Sequence, residues 1–106
     1  MIYYLMDKNC IPFKSGDDLF LNGKSLIESI KVTLINRGDY WFKISTVFLS
    51  LDHNFSGFES KPVLFETRIF SNHELINNIQ ARTTSKKKSL RNHSKFLRAI
   101  NLATRG

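Results

Sequence analysis

Four residues carry the chemistry open to this chain: Asp52, His53, Glu66 and His93. An imidazole exchanges a proton near neutral pH, and a carboxylate can hold it in orientation. The same side chains also ligate metals. Asp52 and His53 close the run Trp41–His53, and Glu66 lies within Pro62–Phe70. Both runs are rich in the aromatic and β-branched residues that suit strands. Antiparallel pairing of the two sets Asp52 and His53 near one strand end, with Glu66 further along the ladder. His93 recurs at helical spacing with Leu90, Leu97 and Ile100, so it should face the sheet. Asp52, Glu66 and His93, with Arg68 or Arg82 as anion ligands, are therefore weak candidates for a hydrolytic or phosphorylated-ligand (nucleotide) site. The competing reading is structural: a buried imidazole satisfied by a carboxylate or hydroxyl, with Asp52 and His53 capping a loop. No nucleophile motif, zinc spacing or phosphate loop accompanies the four residues, so no cofactor or metal is implied and catalysis is the secondary expectation.

Charge points elsewhere. The 106 residues carry a net charge of +7, distributed unevenly. Residues 1–53 balance six basic against six acidic residues, whereas 54–106 hold ten basic against three acidic. From Arg82 onward there are eight basic residues and no acid. Lys86, Lys87, Lys88, Arg91, Lys95 and Arg98 fall on the flanks and outer face of the helix expected from Ser85 to Ala103. Clustered Lys and Arg attract phosphates without reading sequence; a solvated helix face is the plainer alternative. Three lysines in the first turn oppose the helix macrodipole. Thr84 or Ser85 can cap it. Phe55 and Phe58 lie in the long loop Asn54–Lys61 and could anchor a protein or stack on a base, or fold back onto the core.

The central motif, STVFLSLDHNF followed by LFETRIF, resembles a family of small uncharacterised phage and prophage proteins whose pattern runs STVFLGLDH, a Gly-rich loop, then LFETMVF. Tyr3–Tyr4, and Arg82 with Thr84 and His93, extend the resemblance toward both ends. The loop NFSGFESK is poorer in Gly than the family's, and Lys86–Lys88 replace glutamates of its C-terminal helix. The resemblance implies a phage origin and a host-cell cytoplasmic setting, and it assigns no activity.

The elements that must position these residues follow from pattern. Met1–Leu5 reads as a short strand, Lys8–Ser15 as loop, and Asp17–Ile30 as helix or helical turns, against the hairpin signal Asn22–Gly23. Ile30–Arg37 reads as a strand with Val32 and Leu34 on one face and Lys31, Thr33 and Ile35 on the other. Arg37–Asp39 turns into the central strand. Glu74–Gln80 is a helical turn or a short strand. The chain is expected to be one α+β domain, residues 1–106. An antiparallel sheet of three to four strands would carry the C-terminal helix, about 85–103, packed on one face. Cys10 is alone, the N-terminus lacks signal-peptide character, and no run is long enough to span a membrane. The expected function is that of a non-catalytic phage accessory or counter-defence protein. It would bind nucleic acid or an acidic host protein through the basic helix and the Asn54–Lys61 loop.

Overall fold

The computed structural model describes residues 3–6, 12–15, 28–50 and 61–104. Two strands, β1 (Tyr3–Met6) and β2 (Pro12–Ser15), pair antiparallel. Four more form an antiparallel meander in the order β3 (Glu28–Arg37), β4 (Tyr40–Phe48), β5 (Phe65–Ser71) and β6 (Ile79–Thr83). A 3₁₀ turn, Glu74–Ile76, bridges β5 and β6, and α1 (Lys86–Ala103) packs across one face of the sheet. The expected α+β sheet of up to four strands with a terminal helix is what the chain forms.

Each junction has a local cause. Gly38 adopts φ +61° between β3 and β4 and Asp39 does not, the pattern of a type II′ hairpin with Gly in its first central position. Asn78 takes φ +61° where the chain enters β6, a conformation Asn tolerates. Ser85 caps α1, its Oγ accepting from the Lys88 N–H at 3.2 Å.

Two expectations are corrected. Pro12–Ser15 is a strand, not loop; Pro12 is its first residue, where a missing N–H costs least. Residues 28–30 belong to β3 rather than to a helix. Glu28 and Ser29 pair with Phe48 and Val47, and a bulge between Ser29 and Lys31 leaves Ile30 without its own partner. Residues 17–27 lie outside the described residues.

The helix side of the sheet holds two apolar clusters. Ile35, Phe42, Ile44, Ile69 and Ile100 form one, with Ile76, Phe96 and Leu97 against it. Phe48, Leu64 and Phe65 form the other, with Tyr4 and the bulged Ile30 against it. Every long strand contributes to both: Ile30 and Ile35 on β3, Phe48 and Ile44 on β4, Phe65 and Ile69 on β5. Between those positions each strand carries a threonine, and that row sets the environment of His93.

Candidate functional site

His93 is fully buried, and its partners are threonines rather than carboxylates. Its Nδ1 lies 2.8 Å from Thr46 Oγ1, and its Nε2 lies 2.8 Å from Thr33 Oγ1. Thr46 Oγ1 also lies 2.8 Å from Thr67 Oγ1, which donates to the Ser89 carbonyl at 3.0 Å. These contacts fix where the protons sit. The Thr67 proton goes to a carbonyl, so Thr67 accepts from Thr46. Thr46 has then spent its proton and accepts from His93, so Nδ1 carries hydrogen. In the neutral ring Nε2 is bare and accepts from Thr33. A second branch runs alongside: Thr83 Oγ1 donates to the Ser85 carbonyl at 3.0 Å and accepts from Ser89 Oγ at 2.7 Å. One threonine from each of the four meander strands thus meets His93 or Ser89, one turn apart on α1.

Burial holds the His93 pKa below its ordinary value of 6.5, and the ammonium of nearby Lys31 adds to the effect. A neutral imidazole with both nitrogens engaged by hydroxyls in the core serves as a structural element.

Glu66 lies on the opposite side of the sheet. It alternates with Thr67 along β5, and its carboxylate meets Arg82 Nε at 2.8 Å and Arg68 Nη2 at 3.4 Å. Glu66 and His93 therefore do not converge. The hypothetical anion ligands Arg68 and Arg82 are instead held by Glu66, with Arg68 also donating to Gln80. Asp52, His53, Phe55 and Phe58, with the loop from 54 to 60, lie outside the described residues. Among the described residues no group of three or more His, Cys, Asp or Glu side chains gathers as a metal site, and no helix is long and apolar enough to cross a membrane.

The basic residues of α1 are sorted by its geometry. At about 100° per residue, the buried Ser89, His93 and Ile100 share one side. Lys87, Lys88, Arg91, Lys95 and Arg98 share the other, and all five are exposed. None of these five has an ion-pair partner among the described residues, and no acid lies on the helix. Lys86 is half-buried at the helix start. An open depression of about 510 Å³ along this flank is lined by Lys87, Leu90, Arg91, Ser94 and Lys95.

Sequence reasoning placed His93 on the buried stripe but missed Thr33, Thr46, Thr67, Thr83 and Ser89 as its setting. A signal was present: Thr67 stands on an otherwise apolar strand face with Val63, Phe65 and Ile69, and a hydroxyl there needs a partner. The chain matches no protein-family model, no curated protein and no solved structure.

Proposed function

We propose that this protein is a non-catalytic binding protein whose ligand is nucleic acid, held by its phosphates on the outer face of α1. The observation that carries this reading is the row of Lys87, Lys88, Arg91, Lys95 and Arg98, exposed opposite the buried stripe and free of acidic neighbours on the helix. From residue 87 to 98 the row spans about 16 Å at ~1.5 Å per residue, long enough to contact several phosphates of one strand. Such contacts position a protein without reading bases, so binding should tolerate sequence and weaken with salt.

An acidic host protein is the second partner this face suits, because the same cations complement carboxylates. A role in phage counter-defence or host takeover within the host cytoplasm accords with the resemblance of the central motif. Among the described residues, the candidates for catalysis give no comparable support. Glu66 is occupied by two arginines, and His93 is enclosed by hydroxyls on the other side of the sheet.

The test is fluorescence anisotropy with labelled DNA and RNA, single- and double-stranded, on the wild type and on a variant with Lys87, Arg91, Lys95 and Arg98 changed to Gln. Wild-type binding at low salt that the variant loses by at least tenfold supports the proposal. Equal binding by both proteins, or none by either, contradicts it.

A further inference from the structure

The face of the sheet that α1 leaves uncovered carries a different set of side chains. Along β4 it presents Trp41, Lys43, Ser45 and Val47; along β5, Glu66, Arg68 and Phe70; along β6, Gln80 and Arg82; along β3, Val32 and Leu34. Trp41 and Val32 are 46% exposed and Leu34 is 71% exposed, so this end of the face is open, whereas Glu66 toward its other end is buried. Lys43 is the direct cross-strand partner of Phe70. The Lys43 ammonium and the Arg68 guanidinium each lie 5.7 Å from the Phe70 ring centroid. That is near the outer limit of about 6 Å for a cation–π contact, so the ring holds Lys43 only loosely, while Arg68 is anchored by Glu66 and Gln80. Trp41 stands two residues before Lys43, diagonal to Phe70; such neighbours lie about 7–8 Å apart, close enough for bases of one strand to reach both rings.

We infer that this open face is a platform for single-stranded nucleic acid, with Trp41 and Phe70 stacking bases and Lys43 meeting a phosphate. This adds a second surface to the nucleic-acid reading of α1 and can fail separately from it. Two features select this occupant. Lys43, Arg68 and Arg82 stand on this face against the single carboxylate of Glu66, which pairs with both arginines, so a net positive charge remains and favours an anion. A ligand that offers flat rings and anionic groups in alternation matches both the aromatic and the basic positions. A second copy of the chain fits poorly, because it would set Lys43, Arg68 and Arg82 against their own copies. A purely apolar partner would bury the Lys43 ammonium without a counter-charge.

Trp41 is the chain's one tryptophan, so its emission reports on this face. The experiment titrates wild-type protein with oligodeoxythymidylate, with an abasic strand of equal length, with duplex DNA and with an acidic peptide, following Trp41 emission and, for labelled ligands, anisotropy. The same titrations are run on Phe70→Leu, Phe70→Tyr and Lys43→Gln, and on the four-Gln helix variant. Stacking predicts quenching of Trp41 by oligodeoxythymidylate and weaker binding of the abasic strand. Phe70→Leu should weaken affinity about tenfold, Phe70→Tyr should retain it, and Lys43→Gln should weaken it several-fold. Phe70→Tyr keeps the proposal testable should Phe70→Leu fold poorly. Quenching that persists in the helix variant supports the sheet platform even where the α1 proposal fails. Strand binding that leaves Trp41 unchanged, equal affinity for the abasic strand, or a Trp41 response to the acidic peptide alone overturns it.

Discussion

Both ring nitrogens of buried His93 are engaged by hydroxyls, and the proton order of the whole row follows from two carbonyl acceptors, Ser89 and Ser85. Nitrogen chemical shifts should accordingly report the Nδ1–H tautomer. Thr46 is the hub, since it accepts from His93 and donates to Thr67. Replacing it with the isosteric valine strands a buried N–H, so Thr46→Val should cost about 1–3 kcal/mol in urea unfolding, while Thr46→Ser should recover most of it. The pH dependence follows from the depressed His93 pKa. Between the folded value and the ordinary 6.5, the unfolded chain binds a proton that the folded protein refuses. The unfolded state therefore holds more protons, and stability rises with pH. The His93 contribution is complete above about pH 6.5 and is lost as pH falls toward the folded value. Urea midpoints between pH 7.5 and 5 should fall in the wild type, and His93→Gln should flatten that part of the slope. A wild-type midpoint that rises on acidification would contradict the neutral, enclosed imidazole.

At the scale of elements, α1 divides its duties cleanly: Ser89, His93 and Ile100 face the sheet, and five cations face away. The lysines of its first turn sit against the positive end of the helix dipole. Lys87→Glu should therefore raise the unfolding midpoint slightly while lowering affinity for nucleic acid, a trade visible by thermal melting and anisotropy on one sample. The helix was legible in the sequence because apolar residues recur at three and four and a Ser precedes the run. The meander was legible because β4 and β5 alternate and Gly38 marks their hairpin neighbour. The start of β3 was not: Glu28 and Ser29 show no alternation, and it is pairing with Val47 and Phe48 that makes them strand. The meeting of His93 with Thr33 and Thr46 was not legible either. It depends on the register past the Ile30 bulge and on where α1 crosses the sheet, and neither is written in local pattern. The expectation that Glu66 could join His93 failed on strand alternation, because Thr67 occupies the helix side at that level.

At the largest scale, the described residues form a four-stranded sheet with a helix on one side, beside the strand pair β1–β2, and cations stand on both faces of that sheet. One apolar cluster sits between sheet and helix, and beyond the threonine row a second packs against Tyr4 and Ile30. That arrangement confines enclosed chemistry to a structural network and leaves the cations of α1 and of the open sheet face at the surface, which is why binding rather than catalysis is the function proposed. The proposed function rests on the outer cations of α1 binding phosphates. The measurement that tests it most directly is the dependence of duplex-DNA affinity on salt, wild type against the variant with Lys87, Arg91, Lys95 and Arg98 changed to Gln. Each phosphate contact contributes about −0.9 to the slope of log K against log salt. The wild type should show a steep slope that becomes shallower by about 3 to 4 in the variant. Equal slopes in the two proteins would show that the cations of α1 do not touch phosphate, and would contradict it.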